Sequence, residues 1–488
     1  MSIPSTGSVD LFPSRSLSAK TVNPSAVAGF RWVSVALLAS LAGMMPSRFV
    51  ASTVSGIPTK GIMGLAVAGI VSGLVLFVFT GGRRISPSSI VFFAGAVFFA
   101  FPTLFLEWTG ALTVEGRQAA LAAAFAFGAL FAGLVGRSPE RVPIREAHEG
   151  LVGNRNAIVW TSIGVAALST WIYVALPSLS GVGRWGLVAS AFSIFTVGVL
   201  DIRRGARVMG WILTVASVGL AGIWFLVTFT GFGRINLAAV GLGFLTIWLL
   251  WFPSLRVKVV TALATPAGLT WAGISRSDAG AAGVWYEGAG LNSVMAPIRT
   301  FAELIREKDR LSFGPSEWIE QVIASIFFWV PRTVWPGKPE GFGRLLVYEL
   351  RPGLSHTGHS MAASWLGEGY AYLGSVGIVI AILLLIGLVL TVERLFWFGA
   401  SGRRARDLAA LILGVWAGVQ LLSYLWVGMF TFAARIGMML GALGVLLTIV
   451  GALNSLGMRR GRARQGWRPP DDPPVPRPRE RAVSGTRG

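Results

Sequence analysis

The chain contains no cysteine and only three histidines, His148, His356 and His359. Disulfides, thiolate nucleophiles, Cys-ligated zinc and iron–sulfur centres are excluded, and a histidine-rich metal centre has too few ligands to form. Charge is scarce as well. Asp, Glu, Lys and Arg make up 13% of residues, against about 25% in a soluble globular chain. Acidic residues are the rarer kind, 22 against 42 basic ones. A chain of 488 residues this poor in charge cannot clothe itself in a water-compatible surface, which makes it an integral membrane protein. What stands in place of charge is apolar: 53% hydrophobic residues and a mean hydropathy of +0.66, with 62 Gly and 19 Trp. Membrane helices tolerate the glycines and membrane interfaces gather the tryptophans.

The net charge of +20 does not point to nucleic acid. Nine of the 42 basic residues lie in the last 32 positions, and most others punctuate the gaps between apolar runs. That pattern orients a chain in a bilayer and builds no groove for a duplex. Twelve apolar stretches have spanning length: 30–47, 61–80, 89–108, 118–136, 157–177, 185–201, 209–229, 235–252, 257–274, 372–392, 408–430 and 436–456. Each supplies the roughly 20 residues a hydrocarbon core demands. Met44–Pro46 and Arg48 crowd the end of the first, and Pro266 interrupts the ninth.

With the N-terminus inside, the inner connections collect Arg83, Arg84, four Arg in 137–156, three in 202–208, Lys258, four in 393–407 and the Arg-rich tail. The short outer connections hold one or two basic residues each. Both termini are therefore expected in the cytoplasm. The organisation expected is a disordered N-terminus over 1–29, nine helices over 30–274, an extracytoplasmic loop over 275–371, three helices over 372–456 and a basic disordered tail over 457–488, suited to contact with membrane lipids.

The 97-residue loop between the ninth and tenth spans holds ten of the 22 acidic residues, nine basic ones, and both His356 and His359. Loops of that length are uncommon without a function. Within it, 293–309 has helical periodicity, with Met295, Ile298, Phe301, Leu304 and Ile305 on one stripe and Arg299 off it. The run 317–332 is apolar enough to lie in the interface or re-enter the membrane, stopping at Pro331. Next comes PRTVWPGKPEGFGR, 331–344, a proline- and glycine-rich element carrying Arg332 and Lys338. Rigid basic groups at an outer interface suit a lipid pyrophosphate, Arg through forked hydrogen bonds and Lys as a point charge; snorkelling to headgroups is the plainer reading. His356, His359, Ser360, Glu368 and Tyr370 then cluster where the chain enters the tenth span. An acid beside a histidine pair can supply a general base. The spacing of His359 and Glu368 excludes a zincin helix, and two His with one Glu make a poor metal set, so no metal is expected.

The run IFFWVPRTVWPGKP, 326–339, resembles the proline–arginine, tryptophan–proline–x–lysine–proline element of the bacterial O-antigen (oligosaccharide repeat-unit, Wzy-like) polymerase family. The later TGHSMAASWLGEGYAYLG, 357–374, is similar to that family's Gly–x–Ser segment followed by Glu–x–Tyr. The resemblance implies an all-α, polytopic, GT-C-like glycosyltransferase of about twelve spans in the bacterial plasma membrane. It would join undecaprenyl-pyrophosphate-linked oligosaccharides, as donor and acceptor, without a metal or other cofactor, alongside a flippase and a chain-length regulator. On this reading Arg332 and Lys338 hold the pyrophosphate, and Glu368 deprotonates the acceptor with His359 as alternative base. Arg276, Arg299 and Arg435, the last in the tight turn between the final spans, complete a cationic site, with His356 and Tyr370 as further contacts. A ligase of the same layout is the near alternative. A transporter would want polar groups at mid-span and broken helices in matching halves, whereas the charge here lies in one loop. A non-catalytic scaffold is the remaining alternative.

A chain without cysteine is a clean background for topology. Single Ser277→Cys and Ser484→Cys variants are expected to differ in intact cells. A membrane-impermeant maleimide should label the first at once and the second only after permeabilisation. Labelling of both, or of Ser484→Cys alone, overturns the orientation.

Overall fold

The computed structural model describes residues 24–135, 155–176, 180–228, 234–265, 294–330, 332–357, 360–402 and 405–466, and every regular element among them is helical. In chain order these are α1 Pro24–Met44, α2 Arg48–Ser55, α3 Thr59–Phe79, α4 Pro87–Trp108, α5 Val114–Leu134, α6 Arg155–Ala175, α7 Ser180–Arg203, α8 Arg207–Thr228 and α9 Arg234–Trp251. A helix over 255–265 is α10. Then follow α11 Ala296–Glu307, α12 Pro315–Ile326, α13 Phe342–Leu350, α14 Ser364–Ser401, α15 Ala405–Val427 and α16 Met429–Gly466.

The chain is thus an all-α, polytopic membrane protein. Among the described residues nine helices are long and apolar enough to cross a bilayer, ten if the bent pair α1–α2 is one span. Against the twelve expected spans, the first is that pair, bent by 86°. The eighth is α9, which matches its expected run to within a residue and ends before Pro253, whose ring cannot continue a helix, leaving it shorter than the nine. The ninth begins as α10, and its part beyond 265 lies outside the described residues. The expected start of the last loop-to-membrane helix also moves, from 372 to Ser364, so Glu368 sits inside a helix. At the other terminus α16 runs on to Gly466, past the expected boundary at 456, because no proline intervenes before Pro469.

Burial sorts the helices into an interior and a shell. α7 and α15 are almost wholly enclosed and α4 mostly so, whereas α3, α6, α8 and α16 turn most of their surface outward. Outward residues such as Val71, Trp160, Val215, Leu226 and Val376 are large and apolar, as lipid-facing positions must be. Alanines along α5 (Ala119, Ala122, Ala123, Ala126, Ala129) are buried where α5 meets α1, and small residues are what allow backbones to approach.

Within such a bundle every break in a helix frees carbonyls that water cannot reach, and polar side chains meet them. The bend after α1 is held by Gln118, whose Nε2 donates to the carbonyls of Met45 and Ser47 at 2.9 Å each. Nearby, Arg117 pairs with buried Glu107 at 2.5 Å and donates to Ile57 O. At the opposite end the fully buried Lys258 spends its three ammonium protons on the carbonyls of Thr80 (3.0 Å), Gly82 (3.1 Å) and Arg84 (2.9 Å). α10 is thereby fastened to the end of α3.

Lys258→Met keeps most of the apolar stem and removes the ammonium. It is expected to cost about 3 kcal/mol by orphaning these carbonyls, read as a lower unfolding temperature in detergent or nanodiscs. An unchanged melt would show the carbonyls to be satisfied otherwise.

A candidate functional site at the start of the last helix

The loop helices bring the expected site residues to one end of the bundle. α11 and its capping residue bury Met295, Ile298, Phe301 and Leu304, four of the five residues of the expected stripe, against α5 and α14, while Ile305 is half-buried at the edge of the core. α12 is shorter than the apolar run suggested. It ends at Ile326, too short at 12 residues to cross, and packs on α16 and α14. Ile319, Ile323, Ile326, Phe327 and Trp329 remain exposed along its outer side. At its N-terminus the Glu317 carboxylate accepts from Gly314 N at 2.9 Å and Ser316 Oγ at 3.0 Å; a bond from its own backbone N–H, then that from Ser316 and last that from Gly314, hold it below the usual carboxylate range.

The proline–glycine element closes the other end of α12. Lys338 is buried, and its Nζ donates to the carbonyls of Phe328 (2.6 Å), Val330 (3.0 Å) and Phe327 (3.3 Å). Burial, and then the charge of Arg332, lower its pKa. Arg332 in turn donates to Lys338 O at 2.7 Å and Pro339 O at 3.4 Å, 3.9 Å from Glu340. The pair expected to hold a pyrophosphate thus first holds the loop. All three Lys338 protons are taken by carbonyls, while Arg332 remains half exposed.

From here contacts converge on the first turns of α16. Lys338 Nζ lies 6.0 Å from the Phe430 ring centroid, and Phe328 packs against Gly437. From the bundle side, the Oε2 atom of buried Glu368 accepts from Met429 N at 2.8 Å, capping α16 with a carboxylate borrowed from α14. The connection from α15 is the single residue Gly428, with φ of 100°, a conformation that L side chains rarely adopt. A Cβ there would also strike the Glu368 carboxylate. Buried Tyr372 and Tyr424 stand close enough to Glu368 to feel its charge.

This one-residue turn corrects the place of Arg435. Expected in the loop between the last spans, it belongs to the second turn of α16, because that helix starts immediately after Gly428. Its guanidinium donates to Gln420 Oε1 at 3.1 Å and to Ser423 Oγ, both on α15. Gln420, Ser423 and Tyr424 were missed in the sequence, although their i, i+3, i+4 spacing puts a polar stripe on one face of an apolar span.

Other expected residues stand apart. Tyr370 is buried with its ring 6.0 Å from Phe301. His356 is exposed on the turn Pro352–Thr357. Arg299 is exposed on an open groove of about 350 Å³, shared with Glu115, Glu303, Arg306 and Arg351, where Arg351 pairs with Glu303 at 2.7 Å. His359 and Arg276 lie outside the described residues. No protein-family profile, no curated protein and no solved structure matches the chain.

Gly428→Ala is expected to destabilise the protein by about 2 kcal/mol or more, from the left-handed backbone and the displaced carboxylate together. Gly444→Ala, where an added methyl meets nothing, is the control. Equal unfolding temperatures for the two variants would refute the account of this turn.

Proposed function

We propose that the protein is a GT-C-like membrane glycosyltransferase that polymerises undecaprenyl-pyrophosphate-linked oligosaccharide repeat units into surface polysaccharide. The reaction takes place on the outer face of a bacterial plasma membrane, with both termini in the cytoplasm. One observation carries this reading. A buried carboxylate caps the N-terminus of α16, and a guanidinium stands in the second turn of the same helix, at the end of the bundle where the loop helices pack.

That combination suits transfer from a lipid diphosphate. Glu368 takes the proton of an acceptor hydroxyl, the oxygen attacks the anomeric carbon, and the bond from that carbon to the diphosphate oxygen breaks. The electron pair leaves with the lipid diphosphate. Arg435 and the helix N-terminus stabilise the negative charge of that leaving group, a task for which fixed donors in a water-poor site are well suited. Glu368 uses Oε2 to cap α16 and keeps Oε1 free of hydrogen bonds to the described residues, so one oxygen orients the group while the other serves the acceptor. Arg332 offers an exposed guanidinium edge toward a diphosphate. Lys338 contributes by fixing the loop against Phe430. The open groove at Arg299 gives the glycan a polar path, and His359, Arg276, His356 and Tyr370 retain the roles given by the family resemblance. No cofactor is required. A flippase that delivers the lipid-linked unit and a regulator of chain length are the partners such a reaction draws on.

The test is polymerisation in proteoliposomes with purified lipid-pyrophosphate-linked repeat units. Wild-type protein is expected to yield ladders of increasing length, insensitive to EDTA. Glu368→Gln and Arg435→Gln, at matched folding, should slow the reaction by about 10²-fold or more. Transfer of a preformed chain to a different acceptor, without ladders, would mark a ligase. Intact substrate with wild-type protein would overturn the enzymatic reading.

A further inference from the structure

Two partly buried guanidiniums lie within electrostatic reach of each other where α7 crosses α16. Gly181 of α7 packs against Met438 of α16, where an added Cβ would lie 3.2 Å from Met438 Sδ. This crossing sets Arg184, in the second turn of α7, beside Arg435, in the second turn of α16, and the two repel each other electrostatically. Neither belongs to an ion pair among the described residues. Aromatic rings wall the place. Trp185 lies 5.0 Å from Trp416, and Trp416 Nε1 donates to Arg435 O at 3.2 Å.

The donors outnumber the acceptors here. Arg184 Nε is buried without a hydrogen-bond partner. Gln420 is fully buried, and because Arg435 donates to its Oε1, the other end of the amide is the NH₂ group. That Nε2 is buried and has no partner either. Like charges brought together in a low-dielectric bundle, beside an amide donor lacking an acceptor, are costly unless something negative lies among them.

We infer that Arg184, Arg435, Gln420 and Ser423 form a binding site for a phosphate-class anion within the helix bundle. Guanidinium forks match the oxygens of a phosphate or diphosphate in pairs, which a single halide cannot satisfy. Arg184 is thereby a binding residue that the proposed reaction does not by itself identify. The inference is independent of glycosyl transfer, since the uncompensated charge calls for an anion whatever is then done with it. The anion can come from water as inorganic diphosphate, from a prenyl diphosphate, or from a phospholipid headgroup.

The experiment uses the full chain, purified in a phosphate-free neutral detergent and titrated with inorganic pyrophosphate or farnesyl diphosphate. A third arm compares nanodiscs of phosphatidylglycerol with nanodiscs of phosphatidylcholine. Unfolding temperature and the tryptophan fluorescence around Trp185 and Trp416 are the readouts. At least one anionic probe is expected to raise the unfolding temperature saturably, and which one does so names the source. Arg184→Gln should weaken that binding at least tenfold. It makes no hydrogen bond among the described residues, so it should fold, and removing the repulsion should raise the unfolding temperature without ligand. Arg184→Lys, which keeps the charge and loses the fork, should fall between. No response to any probe, or wild-type affinity in Arg184→Gln, overturns the inference. A protein that binds diphosphate yet builds no glycan ladders would sink the polymerase reading and leave this one standing.

Discussion

A lysine ammonium has three protons, and the end of a helix has carbonyls with no intrahelical partner. In water the match has little consequence; in a bilayer it decides where a helix is allowed to stop. Lys258 meets it at the end of α3 and Lys338 at the end of α12, each through three carbonyls. Lys308 does the same on a smaller scale. The helix α14 breaks at Gly374, with φ of 62° and ψ of −143°, and Lys308 Nζ donates to the nearby Ala371 O at 2.5 Å. Burial lowers the pKa of this lysine as well. Three irregular places in the backbone are thus held by the same kind of side chain, and two of them flank the site.

The arrangement at the start of α16 follows from those anchors. Lys338 fixes the loop that presses on Phe430, the break at Gly374 gives the Glu368 segment its own direction, and Gly428 lets α16 begin without a linker. Glu368 can then cap a helix that is not its own. Buried Ser364, with φ of 63°, adds a residue in a conformation that a non-glycine seldom takes, and its Oγ accepts from Gly367 N at 3.1 Å. Strain of this kind persists only where surrounding contacts over-determine the backbone.

Most of the architecture was legible because hydropathy is a property of long windows. α3 to α8 and the last three helices follow apolar runs that no soluble alternative would explain, and the loop helix α11 buries all but Ile305 of the residues its periodicity assigns to one face. Single residues were less legible. A glycine at 428 carries no sign in the sequence that it forms the entire turn, so Arg435 was expected in a loop and lies in a helix. Lys338 was legible as a rigid basic group, but the three carbonyls that occupy it belong to residues eight to eleven positions earlier, and only a folded chain brings them round. Gln420, Ser423 and Tyr424 vanish in any window average, although helical spacing aligns them. Arg184 reads as an ordinary interfacial charge until α7 and α16 are seen to cross.

The exposed side of α12 has a consequence of another kind. Ile319, Ile323, Ile326 and Trp329 form an apolar margin beside the loop that reaches α16. Seated among acyl chains, such a margin would fix the height of the loop relative to the bilayer plane. On the proposed function, a ligand with a hydrocarbon tail would then need neither to leave the leaflet nor to be lifted toward the protein. Its search would be confined to two dimensions, with lateral diffusion alone bringing its polar end to the level of the first turns of α16.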